Sequence, residues 1–181
     1  MENSKTFFLA DSHFHHEKVI EYDNRPYTSV FQMDKDMIKK WNSVVKKNDI
    51  VWFLGDLAMT ENKEYLKNLI SKLNGRKRMV MGNHDKCRYT FYLEAGFEEV
   101  YKHPVIIKGF FVLSHEPLQG MSDNSPFFFI YGHVHNDEIY KTKTEHSMCV
   151  SACRHNYTPV EIEEYYEYIR QEKADKNNRE L

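Results

Sequence analysis

The sequence contains little cysteine, and its cysteines show no pairing pattern. Cys87, Cys149 and Cys153 make an odd number without a CxxC pair. Disulfide frameworks are typical of small chains in oxidising compartments, and 181 residues are enough to bury a core without them. We therefore expect reduced thiols and a cytoplasmic location.

Long hydrophobic runs and an excess of basic residues are also absent. The run TFFL near the N-terminus is too short for a signal-peptide core, and no stretch approaches the roughly 18 apolar residues of a membrane span. The formal net charge is −2, so the chain as a whole does not attract anionic surfaces. We expect no membrane partner and no long nucleic acid, and no pattern indicates the oligomeric state.

Glycine and proline are scarce, with seven and five residues, and the sequence has no internal repeat, low-complexity tract or linker. These absences predict a single domain over residues 1–172. The polar residues 173–181 have no apolar periodicity, so we expect this tail to fray. Histidine is abundant by contrast, with ten residues.

Apolar runs of strand length alternate with helical patterns in the first half of the sequence. The predicted strands are 6–10, 49–55 and 76–82. Ser29 and Gln32 have capping-box spacing at the start of a helix predicted over 28–47, and Thr60 is predicted to cap a second helix. A shorter helix is predicted over 86–95.

The second half is rich in short β-type runs with turns between them. It ends in a helix predicted over 158–169, with Thr158 as the N-cap and Pro159 at the first helical position. A βαβα beginning followed by hairpin-like strands favours a layered α/β fold, in which mixed sheets are flanked by helices.

Polar residues that can bind a metal or transfer a proton follow five of the apolar runs. They are Asp11 and His13; Asp56; Asn83, His84 and Asp85; His115; and His133 and His135. Because ligands of α/β proteins lie beyond the carboxyl ends of the strands, we expect these groups to converge. The two D-x-H and H-x-H pairs have a spacing of two, which in extended backbone places both members on one side.

Each of these motifs alone is also typical of ordinary structure. Asp-x-His after a strand is often a turn or a helix cap, and Gly-Asp is a common turn dipeptide. The paired histidines of GHVH are more specific. Gly55, Gly82 and Gly132 come immediately before three of the groups, where glycine permits a sharp turn or a close backbone approach. The whole series in this order favours a functional site.

The series DSH, GD, GNHD, SH and GHVH resembles the motif set of the calcineurin-like metallophosphoesterase superfamily. The stretch HFHHEKVIEYDNRPY further resembles a subgroup of small bacterial and phage members. The resemblance implies a sandwich of two mixed β-sheets flanked by helices. It also implies two divalent metal ions, the first bound by Asp11, His13, Asp56 and His135, and the second by Asp56, Asn83, His115 and His133.

Nitrogen and oxygen ligands without a thiolate suit manganese, iron, zinc, cobalt or nickel better than calcium or magnesium, and manganese is our first choice. Two such ions lower the pKa of a bridging water, and the resulting hydroxide can attack phosphorus. We expect His84 to be the general acid and Asp85 to orient its ring. His16 and Arg25 could bind a substrate phosphate, although His16 could instead pack or cap and Arg25 could be a surface charge.

The expected function is therefore hydrolysis of a phosphomonoester or phosphodiester. The substrate is expected to be small, with nucleotide-derived compounds as one option, because the chain has little room for inserted specificity loops. The alternative is a non-catalytic scaffold for protein interactions on the same fold. Such a scaffold would be expected to have lost metal ligands or the acid, and this sequence retains them.

Overall fold

The computed structural model describes residues 4–119, 125–163, 165–167 and 170. The predicted tail over 173–181 lies outside the described residues. Within the described part of the chain, no helix combines the length and the hydropathy that a membrane-spanning segment requires.

The described residues alternate between strands and helices in the first half of the chain, and the second half consists mainly of strands. The strands are β1 (Thr6–Leu9), β2 (Ile50–Phe53), β3 (Arg76–Val80), β4 (Phe97–Tyr101), β5 (Val105–Ile107), β6 (Phe111–Leu113), β7 (Phe128–Tyr131), β8 (Ser147–Cys149) and β9 (Val160–Glu161). The helices are α1 (Val19–Tyr22), α2 (Val30–Val44), α3 (Lys63–Lys72), α4 (Tyr89–Ala95) and a 3-10 helix at Ala152–His155.

The strands form two mixed sheets, as predicted. The first sheet has the order β4-β3-β2-β1-β9, in which β9 is antiparallel to β1 and the other neighbours are parallel. The second has the order β5-β6-β7-β8, in which β5 alone of these strands is antiparallel to its neighbour. Ala10, directly after β1, exchanges backbone hydrogen bonds with Val150 and Ala152, so the two sheets are joined at the carboxyl ends of β1 and β8.

The first sheet is buried on both faces. Successive side chains of its strands point to opposite sides, and each side packs against a different layer. On one face its side chains pack against α2, α3 and α4; they are Phe7, Leu9, Val51, Phe53 and Met79. On the other face its side chains pack against the second sheet; they are Phe8, Ala10, Trp52, Leu54 and Val80. The molecule is therefore a β-sandwich whose first sheet is covered by helices on its outer side.

The caps of α2 and α3 explain where these helices begin. Ser29 Oγ accepts a hydrogen bond from Gln32 N, so Ser29 is the N-cap of α2, as the capping-box spacing predicted. For α3 the prediction of Thr60 was wrong. Asn62 Oδ1 accepts from the backbone N–H groups of Glu64 and Tyr65, whereas Thr60 Oγ1 accepts from Asn62 N in the turn before the helix.

The predicted start of the final helix was also wrong. Val160 pairs with Phe8 in β1, and Glu161 pairs with Phe7, so this stretch is an edge strand. Thr158 Oγ1 donates to Asn156 O rather than capping a helix. Residues 162, 163, 165–167 and 170 are helical, and the other positions of the prediction after 161 lie outside the described residues. Local capping signals were overridden here by pairing of β-branched Val160 with β1.

Removal of the α2 cap tests the local account of this helix. Ser29→Ala is expected to lower the free energy of unfolding by about 1 kcal/mol, because one backbone donor in the first turn loses its acceptor. The measurement is urea denaturation followed by circular dichroism.

The matched control is Ser43→Ala in the same helix. Ser43 is exposed, and its hydroxyl donates to Lys40 O one turn back, so its removal should leave stability nearly unchanged. Equal losses in the two variants would contradict the capping role of Ser29.

Candidate metal centre

The loops that follow β1, β2, β3, β6 and β7 meet at one end of the sandwich. Backbone hydrogen bonds hold the loops together: Asp11 N donates to Gly55 O, and His13 N donates to Asp56 O. On the second sheet, Gly132 N donates to His115 O. The side chains of the five predicted motifs therefore lie close to one another, as the positions of the strand ends predicted.

A first cluster of donor atoms forms between the loops after β1 and β7. His13 Nε2 lies 3.1 Å from His135 Nε2, and His135 Nε2 lies 4.0 Å from Asp11 Oδ1. Donor atoms of these three residues all lie within 4.8 Å of one another. The Asp56 carboxylate closes the cluster, with Oδ2 3.6 Å from His13 Nε2.

A second cluster lies beside the first, around His115. Its Nε2 is 3.0 Å from Asn83 Oδ1 and 3.2 Å from His133 Nδ1. The same atom lies 3.5 Å from Asp56 Oδ2. Asp56 thus contacts both clusters through one oxygen, while its Oδ1 accepts from His84 N at 2.8 Å.

Hydrogen bonds of the outer nitrogen, Nδ1, set the orientation of two histidine rings. His115 Nδ1 lies 2.8 Å from Leu54 O, and since a carbonyl only accepts, Nδ1 carries the proton. His135 Nδ1 lies 2.7 Å from Asp23 Oδ2 in the same way. In both rings Nε2 is then left to face the cluster. Such carboxylate and carbonyl partners are typical of metal-binding histidines.

The backbone at the site is unusual for non-glycine residues. Five of the seven predicted ligands have φ between 44° and 70°, in the left-handed region; they are Asp11, His13, Asp56, His133 and His135. Each such residue costs roughly 1–3 kcal/mol, and such residues concentrate at functional sites. The prediction from extended backbone was therefore wrong in its geometry. His133 contacts the second cluster and His135 the first, so the pair does not face one point.

Glycine is required where these loops cross. A Cβ on Gly55 would lie 2.5 Å from His115 Nδ1, and φ at Gly55 is +90°. A Cβ on Gly82 would strike Asp56, and a Cβ on Gly132 would strike Ala10 and lie 2.7 Å from Asp11 Oδ2. The close backbone approach predicted for these glycines is confirmed.

Burial dominates the electrostatics of the first cluster. Asp11 is fully buried, and burial raises the pKa of its carboxyl above the usual value. Burial lowers the pKa of His13 to about 3, so this ring is neutral with a lone pair available. At Asp56 and His115 burial also opposes charge, but their mutual attraction outweighs it. The pKa of Asp56 falls to about 2, and that of His115 rises to about 9.

These residues fit divalent metal ions. Ligands bound at about 2.1 Å lie on the order of 3 to 3.5 Å from one another, which is the spacing of the closest donor pairs in both clusters. Asp11 Oδ1 and His13 Nδ1 are buried without a hydrogen-bond partner among the described residues. Asp11 Oδ1 faces the first cluster, so a cation there would supply the compensation that burial removes.

His84 lies beside the two clusters, and the prediction that Asp85 orients its ring was wrong. Its half-buried ring has its centroid 5.5 Å from that of His13. Asp85 does not orient this ring: its carboxylate accepts from the backbone N–H groups of Gly82, Asp56 and Leu57. Asp85 therefore fixes the loops after β2 and β3 relative to each other, and burial raises its pKa to about 6.

The two predicted substrate contacts are placed very differently. His16 is half-buried, its ring centroid lies 5.6 Å from that of His13, and its Nδ1 has no hydrogen-bond partner in the described part of the chain. The Arg25 side chain is fully buried, and its guanidinium donates to Asp11 O, Ser12 O and Asp23. The geometry thus does not support a phosphate contact by Arg25, nor a surface charge.

Two residues of the site were missed from sequence. Ser151 Oγ donates to Asp11 Oδ2 at 2.5 Å, and Asp23 accepts from His135. Ser151 directly follows the apolar run MCV, so the same rule of polar residues after strands could have found it. No sequence spacing connects Asp23 with His135, which is 112 residues away.

The fold and the two donor clusters define an α/β protein whose Asp and His side chains, at the carboxyl ends of its strands, could hold divalent metal ions. A sequence profile of the family described as calcineurin-like phosphoesterase matches residues 4–178. The chain therefore belongs to the calcineurin-like phosphoesterase family.

Proteins similar to this chain include the following three. An uncharacterized protein of Methanocaldococcus jannaschii is 34% identical over 169 residues, which cover 90% of each chain. The Gene 66 protein of Mycobacterium phage L5 is 40% identical over 84 residues, covering 45% of this chain and 40% of the phage protein. The crystal structure of a protein of unknown function from Aquifex aeolicus has a TM-score of 0.72 and 29% identity, covering 92% of this chain and all of that one.

A methyl group added at Gly132 tests whether close loop contact holds the first cluster together. Gly132→Ala is expected to lower the affinity for Mn²⁺ by about tenfold or more, because the new Cβ displaces Asp11. Isothermal titration calorimetry measures this affinity.

Gly109→Ala is the control, since nothing lies within 4 Å of its Cβ position, while its φ of +65° makes alanine strained. It should lose about 1 kcal/mol of stability with unchanged metal binding. Similar metal affinities in the two variants would argue against the steric role of Gly132.

Proposed function

We propose that this chain is a phosphoesterase that uses two divalent metal ions, manganese first among them, to hydrolyse a phosphomonoester or phosphodiester. The observation that carries the proposal is the position of Asp56. Its Oδ2 lies 3.6 Å from His13 in the first cluster and 3.5 Å from His115 in the second. A carboxylate shared in this way offsets the repulsion between two cations about 3.5–4 Å apart.

The ligand sets of the proposal follow the clusters. Asp11, His13 and His135 would hold one ion, and Asn83, His115 and His133 the other, with Asp56 between them. When bound, the ions lower the pKa of a coordinated water and neutralise the phosphate oxygens. Asn83 is exposed, whereas Asp11, His13 and His115 are buried, so the second cluster is open to solvent on the side of Asn83.

His84 is proposed to donate the proton to the leaving-group oxygen. Its backbone N–H is held by Asp56 Oδ1, and its ring lies beside His13 without belonging to either cluster. The main chain of His84 is therefore held at the site, its ring lies beside the first cluster, and both ring nitrogens remain outside the proposed ligand sets. This arrangement suits a general acid.

His16 is proposed to contact the substrate. Its half-buried ring lies next to that of His13 and therefore beside the first cluster. The substrate is proposed to be small, because the net charge of −2 provides no footprint for a long polyanion. All three cysteines are free thiols, which supports a cytoplasmic location.

Metal-reconstituted activity assays test the proposed reaction. Metal-free protein loaded with Mn²⁺ is assayed on phosphomonoesters, a bis-aryl phosphodiester, and cyclic and linear nucleotides. Turnover of at least one of these classes is expected. Absence of turnover with manganese, iron, zinc, cobalt and nickel would contradict the proposal and favour the scaffold alternative.

Asp56→Asn tests the sharing of one carboxylate. The affinities for both ions should fall together, because the amide offers one neutral oxygen in place of the charged bridge. Calorimetric Mn²⁺ titration measures both. Asp36→Asn, which removes a carboxylate paired with Lys40 outside the site, should leave both affinities unchanged. Loss of a single ion in Asp56→Asn would contradict the bridge.

His84→Ala tests the acid. Both ions should still bind, while kcat for an alkyl phosphate ester falls about 10²–10⁴-fold and kcat for a nitrophenyl ester falls far less, since nitrophenolate leaves without a proton. Steady-state kinetics on the two esters measures the difference. His103→Ala, an exposed histidine beyond β4, is the control. Equal losses for the two esters would argue against proton donation by His84.

A further inference from the structure

The buried Arg25 guanidinium connects two loops of the first cluster. Its Nη1 donates to Ser12 O at 2.8 Å and its Nη2 to Asp11 O at 3.0 Å, so it binds two consecutive main-chain carbonyls. Its Nε and Nη2 also donate to Asp23 Oδ2 at 3.1 and 3.0 Å. The Tyr157 ring lies 5.4 Å from the guanidinium carbon.

Asp23 extends this connection to the loop after β7. Both of its carboxylate oxygens lie within hydrogen-bond distance of His135 Nδ1, at 2.7 and 2.9 Å. Asn136 Nδ2 also donates to Asp23 O. A continuous path of charged hydrogen bonds therefore runs from the main chain of Asp11, through Arg25 and Asp23, to the ring of His135.

We propose that Asp23 and Arg25 form a positioning pair for the first metal ion, an inference that rests on the proposed function. Arg25 holds the left-handed turn of Asp11 in place, and Asp23 keeps the proton of His135 on Nδ1 so that Nε2 faces the ion. Neither residue touches the ion or the substrate. Arg25 was predicted to bind substrate, and in this proposal it instead positions, together with Asp23, the ligands of one metal ion.

The support is asymmetric between the two clusters. In the first cluster, Nδ1 of His135 is hydrogen-bonded to the Asp23 carboxylate. In the second cluster, Nδ1 of His115 is hydrogen-bonded to the neutral carbonyl of Leu54. A carboxylate partner makes a histidine a more basic ligand than a carbonyl partner does. Loss of Asp23 should therefore weaken the first ion selectively, which a general structural role of Asp23 would not predict.

Asp23, His135 and Cys153 also lie close enough to form a metal site of their own. The hydrogen bonds argue against that use. Asp23 Oδ2 already accepts from Arg25 and from His135, and an ion at this place would stand next to the positively charged guanidinium. The same contacts are those of a support behind a metal ligand.

Mn²⁺ titration of Asp23→Ala tests the proposal. One of the two ions is expected to bind about 10–100-fold more weakly, while the affinity for the other is unchanged. Nitrogen-15 NMR of the histidine rings in the metal-free protein supplies a second readout. The wild-type protein should show His135 protonated at Nδ1, and Asp23→Ala should lose this preference.

Two further variants complete the design. Because Asp23→Ala leaves a buried guanidinium without its counter-charge, the double variant Asp23→Ala, Arg25→Met is titrated as well; its methionine joins Met33 and Met37, whose sulfurs already contact Arg25. It should show the same loss at one ion. Asp34→Asn is the matched control. The Asp34 carboxylate accepts hydrogen bonds from the backbone N–H of His15 and from the hydroxyl of Tyr65, and neither residue belongs to a cluster.

The outcomes separate this inference from the proposed function. The positioning pair is supported if the wild-type protein binds two ions, the Asp23 variants bind one of them more weakly, and Asp34→Asn binds both with unchanged affinity. Two-ion binding with unchanged affinities in the folded Asp23 variants would overturn the positioning pair and leave the phosphoesterase proposal standing. Failure of the wild-type protein to bind Mn²⁺ would overturn both.

Discussion

The structure of this site depends on compensation of charge that the fold buries at the end of a β-sandwich. Asp11 and Asp56 are almost completely buried, next to two pairs of histidines whose ring nitrogens lie 3.1 and 3.2 Å apart. Water cannot solvate these groups, so each must find a hydrogen bond, an opposite charge or a cation. Asp11 Oδ1 accepts no hydrogen bond among the described residues and lies 3.9 Å from His115 Nδ1 and 4.0 Å from His135 Nε2, so a cation in the first cluster would add compensation that a hydrogen bond does not supply here.

The surrounding protein fixes the loops so that the donors cannot relax away from one another. Asp85 binds three backbone N–H groups of two loops, Arg25 binds two carbonyls of a third, and Ser151 binds Asp11 directly. These contacts also stabilise the left-handed backbone of the ligand residues, which is costly by itself. Packing of the first sheet between the helices and the second sheet offsets that cost.

Much of this could be predicted from the sequence, because it follows from periodicity and from residue type. Apolar runs such as TFFL and VWF gave the strands, Ser29 gave a helix start, and polar residues after the strands gave the converging groups. Predictions failed where a distant partner decides the outcome. Val160 joins a strand because β1 is there to pair with it, and Arg25 is buried because Asp23 and two carbonyls surround it. Asp85 faces backbone N–H groups that no motif could indicate.

Anomalous diffraction from crystals grown with Mn²⁺ tests the central claim most directly, since it locates the ions independently of turnover. The account predicts two manganese positions about 3.5–4 Å apart, one bound by His13 and His135, the other by His115 and His133, with Asp56 reaching both. A single manganese position, or two positions without a common carboxylate ligand, would contradict it.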